Sequence, residues 1–584
     1  MERRVLLAFL LSFFVFLLFV RFFGPESAPP APPADETPVA ASPASPPAPD
    51  VPVPAAEVAV PETPTETREA EREQTVAVET SRYVAEFSNR GGRLLRLRLL
   101  EHTDSLGAPL EALPQGDDLV NSVRPLDVVL PGDPAPARLT TALHEVAVDG
   151  RIRTGPVRLE LRDGEAREIE FRWASADGLE VSKTVRVQGG DYRMGVSVSA
   201  IRGGAEQLKE VLFGPGIENE SSVGRYQGAE QGVIESGGES RLFSFAEAAG
   251  GEAASLSAQA VGVSSHYFAG LLVADPGQRY EARLEALAIP WESFEIPPAD
   301  ASGSRDLLVA HLRSAGASEF TLFTGPKQVE LLTELGVDIV EFGAWLRFLV
   351  VPIRQGLLWA YDVMGNYGWA IVLVTILISL LLAPLKHYSY VSIRRMQKIS
   401  PQVKRIQEKY KGMKPTDPKR GEMNQEMVAL YREHNVSPIG GCLPMLLMIP
   451  FFFAFYRLLV VSVELRHAPF VFWVQDLSRE DPYFILPLLM GASQLIMQKM
   501  TATQAEGIQA KIMMFMPVVF VLIMAWAPSG LVLYWFANNL ISMGQQAVTS
   551  RIMDRREAEA GALEVAGKGK RNKGGSRRKP TAGR

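Results

Sequence analysis

The sequence has few of the residues on which disulfide, metal and catalytic chemistry depend. It contains one cysteine, Cys442, among 584 residues, so an internal disulfide and a cysteine-rich metal site are excluded. Its seven histidines are scattered, and the chain has no HExxH spacing, P-loop, GxGxxG turn after a strand or GxSxG elbow. The sequence therefore favours a protein that is not an enzyme, and it predicts neither a cofactor nor a metal site.

Charge divides the chain into two unlike halves. Residues 1–340 carry 30 Lys and Arg against 50 Asp and Glu, whereas residues 341–584 carry 30 against 16. The mean hydropathy of +0.05 is too low for a chain that is mostly buried in a membrane. This asymmetry predicts a large acidic part in water and a compact basic part beside anionic lipid or nucleic acid.

The first 75 residues predict an anchor and a tether. Residues 5–20 form an uninterrupted apolar run after two arginines, which approaches the ~20 residues that a helix needs to cross a bilayer. We expect an uncleaved transmembrane anchor at 1–23 with a cytoplasmic N-terminus, and a cleaved signal peptide is the alternative. Residues 24–75 are rich in proline and alanine, so they predict a disordered tether.

Short alternating apolar runs fill residues 76–335 and are separated by glycine turns, as in EIEFRWASADGLEVSKTVRVQGG. A period of two residues between turns predicts antiparallel strands, and so many of them predict a large β-sandwich. Because it follows the anchor, this domain is expected on the periplasmic side of the membrane. A scaffold or docking role is favoured, and a sugar-binding or enzymatic module is the alternative.

The basic half predicts a membrane core. Residues 336–362 indicate an amphipathic helix at the membrane interface. Short basic connections face the cytoplasm, and the connection at 386–438 has 12 Lys and Arg against two at 463–481. Both termini are therefore expected inside, with a basic cytoplasmic tail at 551–584 that we expect to be disordered. The five-helix core at 363–550 consists of apolar segments at 363–385, 440–462, 482–498 and 512–550, the last broken into two helices at Ala527-Pro528-Ser529-Gly530.

The connection at 388–437 predicts an antiparallel helical hairpin in the cytoplasm. Its apolar residues recur at alternating spacings of three and four on both sides of a proline-containing turn, which is typical of a helix–helix seam. The residues of this seam are Met396, Ile399, Val403, Ile406, Tyr410, Met423, Met427 and Leu430.

Several long strings of this core are shared with a known family. The strings GNYGWAIVLVTILI, NVSPIGGCLPMLLMIPFFFAFYRLL and KIMMFMPVVFVLIMAWAPSGLVLYWFANNL closely resemble the YidC membrane protein insertase family in its Gram-negative form. The resemblance implies a membrane α-helical fold, with an N-terminal anchor helix, a periplasmic antiparallel β-sandwich and a C-terminal five-helix transmembrane core with a cytoplasmic helical hairpin. It also implies a hydrophilic groove, open to the cytoplasm, through which new inner-membrane proteins are inserted and folded.

The same resemblance implies the partners. They are nascent membrane proteins, the Sec translocon, membrane lipids, and the ribosome through the basic tail and the hairpin, and no specific DNA binding is expected. A secondary transporter is the alternative class, but it would leave the hairpin unexplained. A membrane-anchored sandwich enzyme that acts on carbohydrate would need only one span.

The resemblance also places a substrate groove, with one departure. Family members commonly have an arginine at the position of Ser379, and this chain does not. Because a charge inside the membrane is costly and usually functional, we expect Lys386 to replace it as the electrostatic lure, beside the polar Thr375 and the polar groups of the last segment. An ordinary anchor at the membrane interface is the alternative for Lys386. Other matched groove positions, for which ordinary helix packing is the alternative, are Met448, Phe452, Met490, Tyr534 and Trp535.

Overall fold

A computed structural model describes most of the chain from residue 67 to residue 574. The predicted anchor at 1–23 and most of the tether at 24–75 therefore lie outside the described residues. Also outside them are the short segments 105–106, 117–118, 120–121, 136, 218–228, 296–302, 341, 344–345, 411–418, 435–442 and 502–507, together with the side chains at 256, 420, 443–448, 501, 508–513 and 560–574.

The N-terminal part is built of strands in three sheets. The first sheet has the order β4-β3-β2-β1-β8. Its strands alternate buried and half-buried residues, as the period of two predicts. Four of the five strands are antiparallel neighbours, but β1 pairs with β8 in parallel, so the prediction of a wholly antiparallel sandwich is wrong at this edge. The strands are β1 Thr75–Glu79, β2 Tyr83–Ser88, β3 Arg93–Thr103, β4 Pro109–Glu111 and β8 Val157–Glu160.

The second sheet is the largest, with the order β15-β14-β17-β18-β21-β11-β10-β9-β6-β7 and β12 beside β11. In β10, Val181, Val185 and Val187 are buried and alternate with residues that are exposed or half-buried. The strands are β6 Glu145–Val148, β7 Arg151–Arg153, β9 Ala166–Ala174, β10 Leu179–Gln188, β11 Arg193–Arg202, β12 Ala205–Glu206, β14 Gln231–Ser236, β15 Glu239–Phe243, β17 Ala260–Ser264, β18 Phe268–Ala274 and β21 Ser318–Pro326.

The third sheet has the order β16-β19-β20-β13-β5 and packs on the second. Its close approach is visible at Gly270 of β18, where an added Cβ would lie 1.8 Å from the ring of Phe213. The two faces share one continuous apolar core, which is the arrangement of a β-sandwich. The strands are β5 Val128–Val129, β13 Lys209–Phe213, β16 Ala254–Ala258, β19 Tyr280–Pro290 and β20 Ser304–Ser314.

The C-terminal part is helical. Two short helices, α1 and α2, interrupt the sheets, and the rest follow the last strand. The bounds are α1 Arg138–Thr141, α2 Phe245–Ala249, α3 Val329–Glu334, α4 Arg347–Met364, α5 Tyr367–Leu381, α6 Ala383–Lys409, α7 Lys419–Glu433, α8 Leu443–Val461, α9 Ile485–Thr501, α10 Ile508–Met524 and α11 Ser529–Gly574.

The first apolar segment of the core is not one straight helix. α5 ends at Leu381, and α6 starts at Ala383 after a bend of 64°. Pro384 accounts for the break, because it has no N–H to donate to the carbonyl of Leu380 four residues earlier, whereas proline is tolerated in the first turn of a new helix. Within the expected segment 363–385, the helix therefore ends at Leu381, and the last three residues belong to α6. In the described part of the chain, only this bent pair satisfies the length and hydropathy that a membrane crossing requires, and no single helix does so.

The helical hairpin tip can be described by itself. Contact clustering places residues 406–426 in a separate unit from residues 64–405 and 427–584. Within this tip, Lys409 donates to Glu426 over 2.6 Å, and the hydroxyl of Tyr410 donates to the same carboxylate over 3.0 Å. These bonds join the end of α6 to α7, as an antiparallel hairpin requires.

Two expectations of disorder are wrong in the described residues. At the end of the predicted tether, Arg68 and Ala174 exchange backbone hydrogen bonds of 2.9 and 3.0 Å, and β1 begins at Thr75. In the predicted basic tail, the helix α11 continues to Gly574. Alternating charge and a lack of proline from 551 to 574 allow the helix to continue beyond the apolar segment.

Polar contacts join the sandwich to the helical part. Arg354 of α4 is buried and pairs with Glu330 of α3 at 2.6 Å and with Glu464, after α8, at 2.6 Å. The ring of His266 contacts the carbonyl of Val460 at 2.7 Å. The contacts of Arg354 hold α3, which directly follows the last strand, against α4 and the turn after α8, and the contact of His266 joins the sandwich itself to the last turn of α8.

Candidate functional site

The candidate site forms where α5, α6 and α11 meet. Thr375 and Ser379 of α5 are both buried, at 1% and 2% exposure. The hydroxyl of Thr375 donates to the carbonyl of Ile371 over 2.6 Å, so it is satisfied within its own helix. Ser379 instead points its hydroxyl towards Asn538 of α11, at 3.4 Å. Ser379 therefore marks the polar end of an otherwise apolar helix.

Lys386 reaches back across the bend to Ser379. Its Nζ lies 3.4 Å from the hydroxyl of Ser379, 3.4 Å from Oδ1 of Asn538 and 3.2 Å from the hydroxyl of Ser542. The side chain is only 4% exposed. Among the described residues no carboxylate pairs with it. The site thus holds a buried cation whose contacts are three neutral oxygens, and such a cation gains strongly from an approaching anion.

The last helix also supports the bend. The side-chain amide of Gln545 donates to the carbonyl of Ser379 over 2.9 Å. That carbonyl lies in the last turn of α5, where helix carbonyls lack partners within the helix. Gln545 therefore caps α5 at the place where the chain turns into α6.

Further polar groups line α11 and its neighbour α9. Asn539 donates to the hydroxyl of Ser493 over 3.0 Å, and Gln546 donates to the carbonyl of Met500 over 3.1 Å. The side-chain carbonyls of Gln494, Gln545 and Gln546 are buried and find no hydrogen-bond partner among the described residues. Buried acceptors of this kind are costly unless water or a visiting donor satisfies them, which favours a wet or ligand-accessible surface.

The aromatic members of the predicted groove belong to a different neighbourhood. Trp535 contacts Phe452 and Phe520, with ring centroids 4.7 and 4.8 Å apart. Tyr534 stacks on Phe455 at 4.3 Å. Met490 is fully buried, whereas the side chain of Met448 lies outside the described part. The structure therefore brings Ser379 and Lys386 together and places Tyr534 and Met490 in helix packing.

The hairpin seam is buried in part. The buried residues of the seam are Ile399, Tyr410, Met423, Met427 and Leu430. The remaining predicted seam residues are half-buried, and they are Met396, Val403 and Ile406.

Sequence reasoning named only one side of the polar cluster. Asn538, Ser542 and Gln545 hold Lys386 and Ser379, but they were expected only as unspecified polar groups of the last segment. Their signal is the string NNLISMGQQ inside an apolar helix. Spacings of four and three between these residues place them on one face, so the pattern itself could have identified them.

A polar cluster with a buried cation thus lies among apolar helices that follow a β-sandwich, and the described residues hold no metal-binding group. A buried charge among apolar helices is the arrangement expected of a membrane protein with a hydrophilic site. Two family descriptions match the chain. "YidC periplasmic domain" matches residues 75–355, and "60Kd inner membrane protein" matches residues 359–557.

Full-length relatives give the same result. The membrane protein insertase YidC of Geobacter metallireducens is 31% identical over 96% of this chain and 100% of its own length. That of Pelobacter propionicus is 32% identical over 95% of this chain and 100% of its own length. The chain therefore belongs to the YidC family of membrane protein insertases, which combines a periplasmic β-rich domain with a C-terminal helical region.

A solved structure is similar over most of the chain. It is a crystal structure of an active YidC insertase with the first transmembrane domain resolved, and it covers 83% of this chain and 94% of its own length. The sequence identity is 20% and the TM-score is 0.34. The family assignment rests on the sequence matches.

Proposed function

We propose that this chain inserts newly made proteins into the bacterial inner membrane and helps them to fold and assemble. Family membership supports this function, and the polar cluster around Lys386 is the observation that supports a mechanism. The proposed arrangement is an N-terminal anchor, a periplasmic sandwich, five transmembrane helices at 363–550 and both termini in the cytoplasm. Cooperation with the Sec translocon and contact with ribosomes are part of the proposal.

The physical task is to move a polar segment across hydrocarbon. A polar chain crossing ~30 Å of hydrocarbon leaves its backbone groups without partners. A hydrated polar surface between α5 and α11 would supply partners over part of that path. Burying the apolar helix of the substrate in lipid then makes insertion favourable, at about 25 cal/mol per Å² of apolar surface. No covalent step is required.

Lys386 is the proposed lure for acidic substrate segments. Its ammonium group is buried, contacts neutral oxygens and lies beside Ser379, so it places a positive charge close to the position that carries an arginine in other family members. Hydroxyl and amide groups orient the charge without neutralising it. A substrate carboxylate that enters the groove would therefore be the first counter-ion that Lys386 meets.

The test is relocation of the charge. In a strain depleted of its own insertase, we expect Lys386→Ala to slow insertion of a reporter with an acidic tail about tenfold, which corresponds to ~1.4 kcal/mol. Adding Ser379→Arg to Lys386→Ala should restore insertion, because the charge returns to the same cluster. Lys499→Ala, at an exposed lysine of α9, is the control. Insertion at the wild-type rate by Lys386→Ala would exclude the lure.

A further inference from the structure

Beyond the bend, α11 and α6 continue side by side. The contacts begin with Lys386 and Ser542. They continue with the ring of His387, which lies 3.2 Å from the hydroxyl of Thr549. Further along both helices, two ion pairs follow. Because the contacts advance in the same direction along both helices, α6 and α11 run parallel in this region.

The two ion pairs lie at the far end of this series. Arg394 donates to Asp554 over 2.6 Å, and Lys398 donates to Glu557. The basic residues are four positions apart and the acidic residues three, so each pair of residues occupies one face of its helix. Two basic residues on one helix thus face two acidic residues on the other. The tail has 11 Lys and Arg in 551–584, but eight of them lie at 568–584, beyond the two ion pairs.

The position of these ion pairs along α6 suits them to set the direction of this helix after its bend. α6 has bent by 64° at Leu382, and a helix that leaves a bend needs a second point of support to keep its direction. The first support is the cluster of Lys386, Ser542 and Gln545. The ion pairs of Arg394 and Lys398 provide the second support eight and twelve residues after Lys386, which is ~12 and ~18 Å along a helix.

The two ion pairs are weak enough for the contact between α6 and α11 to be reversible. All four side chains are between 37% and 57% exposed, and ion pairs of this exposure are weak and screened by salt. Of the apolar residues in the same stretch, Ile399 is buried and belongs to the predicted hairpin seam, whereas Ile393, Met396 and Val403 are half-buried. The two ion pairs are therefore the contacts through which we expect this stretch of α6 to be held against α11.

We propose that Asp554 and Glu557 are positioning residues that hold the first hairpin helix, α6, against α11 through Arg394 and Lys398. The orientation of α6 is then set by the last helix and not by the bend alone. That insertion depends on this orientation rests on the proposed function, whereas the orientation itself does not.

The orientation can be measured by distances between spin labels. Cys442 is the one cysteine of the chain, so Cys442→Ser gives a background in which Gln402→Cys and Arg556→Cys carry the two labels. Both positions are exposed. The protein is the full chain in lipid nanodiscs, without substrate. The variant Asp554→Asn with Glu557→Gln removes both charges and keeps the shape of the side chains, and Glu559→Gln is the matched control on the same helix.

We expect the neutral variant to lower the ratio of docked to undocked α6 about fivefold, as the loss of two exposed ion pairs implies. The distance distribution should broaden, and Glu559→Gln should leave it unchanged. Raising the salt concentration of the wild type from about 0.05 M to about 0.5 M should have the same effect as neutralisation, because the screening length shortens. A wild-type distribution in the neutral variant would overturn the proposal.

Charge exchange separates pairing from a general loss of structure. The variant Arg394→Asp with Lys398→Glu should broaden the distribution, and adding Asp554→Arg with Glu557→Lys should restore it. A failure to restore it would overturn the proposal. Insertion of a reporter protein should fall in the variant that broadens the distance distribution and recover in the variant that restores it. Insertion at the wild-type rate in both variants would refute the positioning role. Absence of insertion by the wild type would instead refute the proposed function, while the distance result would stand.

Discussion

At the scale of single residues, buried charge marks both the site and the sandwich. Lys386 is held by neutral oxygens in the helical part, whereas the sandwich surrounds its buried carboxylate Glu210 with cations. Glu210 accepts from His311 at 3.0 Å, from Arg313 at 2.8 Å and from Arg283 at 3.2 Å. The charge of Lys386 is therefore available to a substrate, whereas the charge of Glu210 is paired within the sandwich and stabilises the fold.

Glu210 gives the sandwich a specific dependence on pH. The hydrogen bond from His311, followed by the two arginines, lowers the pKa of Glu210 from 4.5 to about 2. A lowered carboxyl pKa in the folded state contributes stability that is complete above pH 4.5 and is lost as the pH falls towards 2. The shift corresponds to about 3 kcal/mol.

The prediction follows from comparing Glu210→Gln with the wild type. The variant should unfold at lower temperature at pH 7, and the difference from the wild type should shrink as the pH is lowered from 4.5 to 3. Circular dichroism of the β signal in the full chain measures both. Glu239→Gln, at an exposed residue of β15, should show neither effect. A difference that stays constant with pH would contradict the assignment.

At the scale of elements, the sequence predicted the type of secondary structure better than the residues at which each element begins and ends. The alternation at 76–335 predicted strands correctly, and the break at Ala527-Pro528-Ser529-Gly530 predicted the turn between α10 and α11 correctly. The bend at Leu382 was missed because the string ILISLLLAPLKH is apolar on both sides of Pro384. The hydropathy pattern therefore shows one continuous segment although the helix axis changes direction within it. The parallel pairing of β1 with β8 was missed because pairing partners far apart in sequence leave no local pattern.

The candidate site was also predictable only in part. Ser379 and Lys386 could be placed near one another, because seven residues are two helical turns. The contact survives the bend only because the long lysine side chain reaches back. Asn538 and Ser542 depend on how α11 rotates against α5, and that is decided by packing between helices rather than by either sequence alone.

The last helix also carries a prediction of its own. The basic string KGKRNKGGSRRKP, which begins within α11 and continues beyond the described residues, is proposed to contact ribosomal RNA. Contacts between basic residues and phosphates weaken steeply with salt. Removing residues 566–584 should lower co-sedimentation with translating ribosomes at low salt and leave little difference at high salt. Because Asp554 and Glu557 remain, the orientation of α6 should not change. Unchanged co-sedimentation would exclude the tail as a ribosome contact.

At the scale of the whole molecule, Arg354 joins α3, which directly follows the last strand of the sandwich, to α4 and to the turn after α8. Its side chain is 8% exposed and is shared by Glu330 and Glu464. Removing one partner of a buried ion pair costs more than the pair contributes, because a charge is left unpaired. Glu464 is the partner at risk, since it is 16% exposed against 62% for Glu330.

We expect Arg354→Met to destabilise the joint by about 2–3 kcal/mol, and Arg354→Lys to cost less, because lysine keeps the charge but loses the two-pronged contact. Limited proteolysis in the segment 335–346, between α3 and α4, measures the opening of this joint. Gln355→Met is the matched control, because Gln355 is the exposed neighbour of Arg354 on the same helix. Equal protection of all three variants would show that Arg354 does not hold the joint.

The contact between Arg68 and Ala174 has a mechanical consequence for the chain that precedes the sandwich. A pull towards the N-terminus loads this short bridge and the bond from Ala70 to Leu143 before it reaches β1 at Thr75. Peeling residues 68–74 away would lengthen the connection by about 23 Å, at 3.3 Å for each extended residue. Residues 68–74 can thus detach and extend under tension while the core of the sandwich stays folded.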